Sequence, residues 1–334
     1  MYEGKISHNR SVIEHLNEDP KPFISFEMVP PKRGGSFSKL KKVVSELVSF
    51  NPPYIDVTSH SSEAIYDHTP NGIRRVITKI RPGTGGICTL IQHTFLTDAV
   101  PHILCHGYTR EETENFLIDL NFHEIKNTLA IRGDDRGYKK EHGPDKTVNK
   151  YASDLVEQLD NMNNGKYLDD RLRNPDKTNF CTGVAGYAEK HFEAPNMEWD
   201  IKNLKKKKAA GASYVVTQML YDNKKYFAYI KKCREAGIDL PIIPGLKILT
   251  SKKQLTSIPK KFYVDIPPEL ADRIEQANDD EVEDIGVEWA YSQIDELINN
   301  NVPSVHLYVM LETRAVNKLM NKLVKELPGL NHLR

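Results

Sequence analysis

The sequence predicts a single-domain α/β protein, an eight-stranded β/α barrel of the TIM type. Short strand-like runs alternate with helical patterns, eight such strands fit into 334 residues, and polar residues gather where the strands end. A barrel of this kind takes about 250 residues plus insertions. A doubly wound open sheet is the alternative. It is disfavoured because no strand leads into G-x-G-x-x-G and the sequence has no G-x-x-x-x-G-K-[ST].

The strands are predicted from short apolar or β-branched runs that end at turn residues. The predicted strands are 23–29, 54–58, 101–105, 127–133, 180–187, 214–220, 241–246 and 305–309. Residues 86–91 could also form a strand, but 101–105 is preferred because a well-marked helix follows it. Thr109 and Glu112 mark the start of that helix, since their spacing matches a capping box.

Helices are predicted between the strands where apolar residues recur at helical spacing. The first lies in 36–50, and the second is assigned to the segment that carries Ile73, Val76, Ile77 and Ile80. Later helices are predicted to end near Gly237 and to include 287–298, before the last strand. Residues 1–20 are assigned to an N-terminal helical extension, and 21–334 to the barrel domain.

The amino-acid composition limits the kinds of partner that this protein is expected to bind. Lys and Arg total 46, as do Asp and Glu, so the chain lacks the basic excess of a generic nucleic-acid or anionic-membrane binder. The first 20 residues contain no apolar signal region, and no apolar run is long enough to cross a bilayer. Four scattered cysteines fit reduced thiols better than disulfides or a zinc site. We expect a cytoplasmic protein without a metal.

Polar residues mark the carboxyl ends of the predicted strands, where barrel enzymes place their active sites. An unpaired polar side chain buried in an apolar strand costs about 1–3 kcal/mol, so such residues point to a wet cavity. Those at or beyond strand ends are Glu27, Thr58, Arg132, Gly133, Asp134, Tyr187, Glu189 and His191, whereas His102 and Gln218 lie within strands three and six. Glu27, alone at the end of an apolar strand, is the candidate acid.

Several of these residues have a structural alternative. Glu27 could pair with Lys32 or Arg33 at the rim, and Gln218 could be a hydrogen-bonded structural group. His102 and His106, with Cys105 between them, resemble metal ligands only weakly, and a hydrogen-bonded histidine is favoured. The four-lysine run 205–208 is typical of a solvated helix face, although its position allows one lysine to bind phosphate.

Nine stretches resemble the methylenetetrahydrofolate reductase family, flavoenzymes that make 5-methyltetrahydrofolate. They are FEMVPPK, IDVTS, VPHILC, LAIRGD, YASDL, GVAGYAEKHFEAPN, NLKKKKAAGA, TQMLYD and IIPGLKILTSKKQ. They run in the family's order from about Phe23 to Tyr308, nearly the whole chain. The resemblance implies a barrel that binds FAD and an oxidoreductase that acts on a CH–NH group, supplying methyl groups for methionine.

The resemblance also implies roles for individual residues. Glu27 corresponds to the family's acid, and Asp134, the second implied catalytic residue, lies beside the flavin and the pterin and tunes both. The residues implied to bind FAD are Thr58, His102, Arg132, Gly133, Asp134, Tyr151, Ala152, Tyr187, His191, Asp200, Asn203 and Lys207. Gln218 and Gln254, together with Glu27, are implied to contact the folate.

The implied reaction is ping-pong, in which NADH or NADPH reduces the flavin and leaves before the folate binds. Glu27 then protonates N10 of 5,10-methylenetetrahydrofolate, and its pKa is expected to be raised by burial and by Asp134. NADH is the expected donor, and self-association is expected from the short bacterial members of the family.

The chain departs from the family pattern at three places. Thr58-Ser59-His60-Ser61-Ser62-Glu63 replaces a glycine-rich run, Ile258 replaces an aromatic residue, and HLYVMLETR replaces the family's last-strand motif. Because the chain stops about 25 residues after the last strand, no S-adenosylmethionine-binding regulatory domain is expected.

Two other functions are weighed. The first is a glycoside hydrolase that pairs Glu27 with Glu189, Glu193 or Asp134. It is disfavoured because neither Trp199 nor Trp289 lies near a strand end to stack on sugar. The second is a flavin- or folate-binding module without turnover, which the candidate acid disfavours.

Overall fold

The computed structural model describes residues 9–19, 22–134 and 140–333. The strands are β1 (Phe23–Met28), β2 (Tyr54–Val57), β3 (Glu63–Thr69), β4 (Gly72–Thr78), β5 (Asp98–Leu104), β6 (Asn127–Ile131), β7 (Cys181–Gly186), β8 (Tyr214–Met219), β9 (Ile242–Leu246) and β10 (Ser304–Met310). Eight of them form a closed barrel in the order β1-β10-β9-β8-β7-β6-β5-β2, and every neighbouring pair is parallel. The predicted barrel is confirmed.

Helices follow or precede the barrel strands. They are α1 (Val12–Glu18), α2 (Phe37–Val48), α3 (Thr84–Thr94), α4 (Arg110–Phe122), α5 (Ala152–Asn163), α6 (Met197–Ala209), α7 (Asn223–Glu235), α8 (Gln254–Phe262), α9 (Pro268–Gln276), α10 (Val282–Asn299) and α11 (Arg314–Glu326), with a final 3₁₀ turn (Pro328–Leu333). The predicted capping box of α4 is confirmed: the Thr109 hydroxyl accepts from the Glu112 N–H, and the Glu112 carboxylate accepts from the Thr109 N–H. None of the helices described is long and apolar enough to span a bilayer.

The predicted helix around Ile73–Ile80 is wrong, because this segment belongs to an antiparallel hairpin of β3 and β4. Pro70-Asn71 forms the two-residue loop between these strands, because Thr69 pairs with Gly72, and Gly72 adopts a positive φ of 124°. Residues 86–91, weighed as a strand, lie in α3 instead. The third barrel strand begins at Asp98, three residues before its predicted start.

Alternation along the barrel strands sends one set of side chains outward and the other inward. In β1, Ile24, Phe26 and Met28 pack with the helices. Phe23 belongs to a second apolar cluster inside the barrel, so Ser25 and Glu27 share its inward face. The other barrel-strand members of that cluster are Tyr54, Val100, Leu129, Cys181, Tyr214, Val216 and Ile243.

Helix α1 closes the amino-terminal end of the barrel. Its Val12 and Leu16 are buried and join the interior cluster; burying each is worth about 1.5–3 kcal/mol. The Val12 N–H donates to the Asn127 side-chain oxygen at 2.8 Å, and His15 Nε2 lies 2.7 Å from Asp98 Oδ2. The opposite, carboxyl end is therefore the end left for a site.

Candidate active site

Three titratable residues meet inside the carboxyl end of the barrel: Glu27, Asp56 and His102, which we call the acid cluster. Glu27 is aligned with Asp56 of β2 on one side and with Tyr308 of β10 on the other. His102 Nε2 lies 3.6 Å from Glu27 Oε2 and 3.4 Å from Asp56 Oδ2. One imidazole thus bridges two buried carboxyl groups.

The surroundings of Glu27 raise its pKa to about 7. Burial is the main cause; the charge of Asp56 adds to it, whereas the charges of His102 and Lys247 oppose it. The Arg33 guanidinium, weighed as a partner of Glu27, donates instead to a backbone carbonyl oxygen. Glu27 is therefore a carboxyl group that can hold a proton near neutral pH, as a general acid requires.

The other members of the acid cluster are also shifted by burial. The pKa of Asp56 is raised well above its usual range, and that of His102 is lowered, although the charge of Glu27 partly offsets the second effect. We expected Asp134 to raise the pKa of Glu27; the neighbouring carboxyl group that does so is Asp56.

Lys247, directly after β9, is the cation that faces the acid cluster. Its Nζ lies 3.5 Å from the backbone oxygen of Tyr308, the residue aligned with Glu27. Burial lowers the pKa of Lys247, the charge of Glu27 raises it, and the charge of Lys261 lowers it.

A polar layer lies beneath the acid cluster. The Ser25 hydroxyl and His306 Nδ1 are 2.9 Å apart, and burial lowers the pKa of His306 to about 3. Within the described ranges, Ser304 Oγ, His306 Nε2 and Asp56 Oδ1 are buried without a hydrogen-bond partner. Such a layer costs folding free energy, and proteins usually retain that cost where the interior serves a function.

Five residues predicted to bind the cofactor come together at the rim beyond β6 and β7: Arg132, Tyr187, His191, Asp200 and Lys207, the rim cluster. The Tyr187 and His191 rings are 4.7 Å apart, and Lys207 Nζ lies 6.0 Å from the Tyr187 ring centre. The His191 N–H donates to Asp200 Oδ2 at 3.0 Å. Burial lowers the pKa of Lys207, Asp200 raises it, and Arg132 lowers it. Two cations thus share one edge of the mouth, an arrangement suited to a pyrophosphate.

Thr58, Gly133 and Asp134 follow the barrel strands as predicted. The Thr58 hydroxyl is buried and finds no hydrogen-bond partner among residues 9–19, 22–134 and 140–333. Gly133 has a φ of 85°, a conformation that favours glycine. Asp134 is exposed, and its charge contributes to the raised pKa of Tyr187.

Tyr151 and Ala152 begin helix α5. Tyr151 is exposed, whereas Ala152 is buried. Asp154, in the first turn of α5, affects the pKa of Cys105, as do both cations of the rim cluster. The charge of Asp154 and the cations of the rim cluster thus act on the same buried thiol, Cys105.

The two predicted folate-contacting glutamines make local hydrogen bonds. Gln218 lies where the β8–β9 register shifts, and its side-chain oxygen accepts from the Met219 N–H at 3.0 Å. Gln254 is the first residue of α8, and its oxygen accepts from the Thr250 N–H at 2.6 Å. Asn203, predicted to bind the cofactor, is partly buried within α6.

The four lysines of the run 205–208 lie in different environments. Lys205 and Lys206 are exposed, and Lys208 pairs with Asp239 at 2.7 Å. Lys207 alone of the four belongs to the rim cluster.

The carboxylates that the hydrolase hypothesis pairs with Glu27 have other partners. Glu189 lies 2.9 Å from Lys225, and Glu193 lies 2.6 Å from Arg132. Neither is among the charges that shift the pKa of Glu27.

Sequence reasoning missed Asp56 and Lys247. Both have a signal that could have found them, because each lies at a position whose side chain points into the barrel. Asp56 is two residues before Thr58, and Lys247 is two residues after Gly245.

A cavity of about 740 Å³ lies between α3, α4 and β5, and His102 is one of the residues that line it.

Comparison with known proteins identifies the family. Residues 12–324 match the family described as methylenetetrahydrofolate reductase. The 5,10-methylenetetrahydrofolate reductase of Escherichia coli is 28% identical over 289 residues, 86% of each chain. Methylenetetrahydrofolate reductase (NADH) 1 of Arabidopsis thaliana is 28% identical over 326 residues, 92% of this chain and 50% of that protein. The chain thus spans about half the length of the plant relative.

A solved structure shows the same fold. It is an uncharacterized protein from Clostridium thermocellum described as binding two copies of 5-methyl-5,6,7,8-tetrahydrofolic acid, with a TM-score of 0.59 and 14% identity, covering 93% of this chain and 98% of that one. The family match and the barrel agree with the motifs in the sequence, and the chain belongs to the methylenetetrahydrofolate reductase family.

Proposed function

We propose that this protein reduces 5,10-methylenetetrahydrofolate to 5-methyltetrahydrofolate, using FAD and NAD(P)H in a ping-pong reaction. The observation that carries the proposal is Glu27, a buried carboxyl group with a pKa of about 7 inside the barrel mouth. The name of the Escherichia coli relative supports the same substrate.

Glu27 acts on the folate as a general acid. It donates its proton to N10, which opens the five-membered ring and leaves an electrophilic 5-iminium carbon. Because the pKa of Glu27 is near 7, the group can both hold this proton and release it at neutral pH. His102 and Asp56 position and tune the carboxyl group.

The residues of the mouth fit FAD. Arg132 and Lys207 supply two cations for its pyrophosphate, and Tyr187 places a ring beside them. The Thr58 hydroxyl is buried without a protein partner, which a bound cofactor would satisfy. When bound, the flavin supplies the redox chemistry between NAD(P)H and the folate.

The test separates the two half-reactions in Glu27→Gln. Anaerobic reduction of the flavin by NADH is expected to stay within about threefold of the unmodified protein, because it needs no proton on N10. Reoxidation by methylenetetrahydrofolate is expected to fall by roughly 10²–10⁴, the usual contribution of a positioned acid. Glu312→Gln is the matched control, since this exposed carboxylate at the same end of the barrel pairs only with Lys39 among the described ion pairs.

Equal loss of both half-reactions in Glu27→Gln would show that Glu27 is not the folate acid. The purified protein is also expected to show flavin absorbance bands. A protein that lacks these bands and cannot be reconstituted with FAD would exclude the flavin-dependent reaction.

The remaining sequence-based expectations stay predictions. They are the choice of NADH over NADPH, the self-association, the cytoplasmic location, and the division into residues 1–20 and 21–334. Relatives carry both cofactor names: the Arabidopsis thaliana protein is named for NADH and a Caenorhabditis elegans protein, 26% identical over 323 residues, for NADPH.

A further inference from the structure

The cavity between α3, α4 and β5 is a groove on the outside of the barrel. Its volume of about 740 Å³ is within the range of small-molecule sites, about 300–1,000 Å³. One wall is a single face of α4, because Glu112, Phe116 and His123 line the groove at helical spacing. At about 1.5 Å per residue of helix, this wall is about 16 Å long.

The opposite wall leaves space because α3 presents small residues to the groove. Gly85, Gly86 and Thr89 line it on this side. A Cβ added at Gly86 would meet no heavy atom of the described residues within 4 Å, whereas a Cβ at Gly85 would lie 2.9 Å from the Phe116 ring. The two helices therefore touch at Gly85 and leave a space at Gly86 that a larger side chain would fill.

The middle of the groove is apolar. It is lined there by Ile103 of β5 and by Phe116 and Leu120 of α4. Ile103 and Leu120 belong to the main core of the protein, and Phe116 packs against that core. An apolar group placed in the groove would therefore exchange water for contacts with the core.

The end of the groove at the carboxyl end of β5 carries a cation. Lys79 Nζ donates to the Tyr108 hydroxyl at 2.8 Å, and both side chains line the groove. None of the ion pairs formed by the described residues includes Lys79. Glu112, the acidic residue of the α4 wall at this end, accepts from the Thr109 N–H and pairs with Lys140. The charge of Lys79 is therefore available to an anion.

Helix α3 begins at the same end of the groove. Thr84 is its first residue, and among the described residues no side chain caps it. The first N–H groups of a helix have no acceptor within the helix and carry partial positive charge. The Thr84 hydroxyl donates to the Thr58 backbone oxygen at 3.0 Å, which fixes the start of α3 against the end of β2. A lysine and a fixed helix start at one end of a groove are complementary to a phosphate group.

We propose that this groove binds an organic phosphate, with the phosphate at Lys79 and the start of α3 and an apolar body along Phe116 and Leu120. The site goes beyond the proposed function and does not depend on it. Apart from His102, the residues that line the groove belong neither to the acid cluster nor to the rim cluster.

Calorimetry on the purified protein in excess FAD tests the site with four probes. Octyl phosphate and 1-naphthyl phosphate contain both parts of the proposed ligand, with a chain or a ring as the apolar body. Inorganic phosphate and octanol contain one part each. We expect at least one of the first two probes to bind at least about tenfold more tightly than either partial probe, because only it gains both the charged and the apolar contacts. The tighter of the two shows whether the body is a chain or a ring.

Two substitutions then locate the binding. Lys79→Met removes the cation and Gly86→Leu fills the open space, and each is expected to weaken the tighter probe by about tenfold or more. Lys42→Met, which removes an exposed lysine of α2, is the control and is expected to leave binding unchanged. If Gly86→Leu does not fold, as judged by urea unfolding, Thr89→Leu fills the groove from the next turn of α3.

Three results would overturn the proposal. They are no binding of either full probe, equal affinity for all four probes, and binding that stays within about threefold in Lys79→Met or in the groove-filling variant. Loss of methylenetetrahydrofolate reduction has no bearing on the site, since the probes are titrated without substrate.

Discussion

Replacing Glu27 by glutamine is expected to change how the stability of the fold depends on pH. In the unfolded chain this carboxyl group titrates near 4.5, and in the fold near 7. Below pH 4.5 it is protonated in both states, and its burial carries no charge penalty. As the pH rises from 4.5 through 7 the unfolded chain ionises first, so the fold loses stability over that window.

The size of the loss in stability follows from the difference between the folded and unfolded pKa of Glu27. About 2.5 pH units correspond to about 3 kcal/mol of unfolding free energy, which is reached in full above pH 7. Glu27→Gln is neutral at every pH and lacks this loss. We therefore expect the free energy of unfolding of the variant, relative to the original chain, to rise by about 3 kcal/mol between pH 4.5 and pH 8.

Urea unfolding of the variant and the original chain at several pH values measures this difference in unfolding free energy. The contributions of all other titratable groups are the same in both proteins and cancel in the difference. Glu312→Gln, which removes an exposed carboxylate, is expected to show a constant difference across the same range. If the Glu27→Gln difference were also constant with pH, the carboxyl group would have an ordinary pKa, and its assignment as a buried acid would be wrong.

Two further predictions concern the pKa of Glu27 and the packing of α10. Asp56→Asn removes the carboxyl group whose charge, when it is ionised, raises the pKa of Glu27. The pH of half-maximal folate reduction is therefore expected to fall in a stopped-flow pH profile, by up to roughly one unit because burial keeps Asp56 partly protonated. An unchanged profile would show that Asp56 does not tune the acid. Gly286→Ala places a Cβ 1.9 Å from the Leu249 backbone oxygen and is expected to destabilise the fold by at least about 2 kcal/mol in urea. Gly86→Ala, which meets no atom within 4 Å in α3, is its control and is expected to be neutral or stabilising by up to about 1 kcal/mol; equal effects would contradict the packing argument.

The sequence predicted the barrel because strand alternation and polar strand ends are local signals. It failed at the β3–β4 hairpin, where the spacing of Ile73, Val76 and Ile77 fits a helix as well as it fits part of a strand. The turn residues Pro70, Asn71 and Gly72 were the stronger signal.

The candidate site was predicted in part for a similar reason. Residues such as Glu27 stand out as single polar groups at strand ends. Asp56 lies within its strand, and its importance depends on two neighbouring strands that place His102 between two carboxyl groups. Such contacts join residues far apart in the chain, so no local pattern contains them.

The closure of the barrel by α1 has a consequence for how Glu27 regains a proton. Among the described residues, Val12 and Leu16 form an apolar floor with Phe23 and Val100, which covers the amino-terminal end of the interior. In the proposed reaction, we therefore expect the proton that Glu27 gives to a bound folate to be replaced through the mouth by which the product leaves. Reprotonation of Glu27 would then be coupled to product release, and each turnover would begin with the proton and the next ligand arriving from the same side.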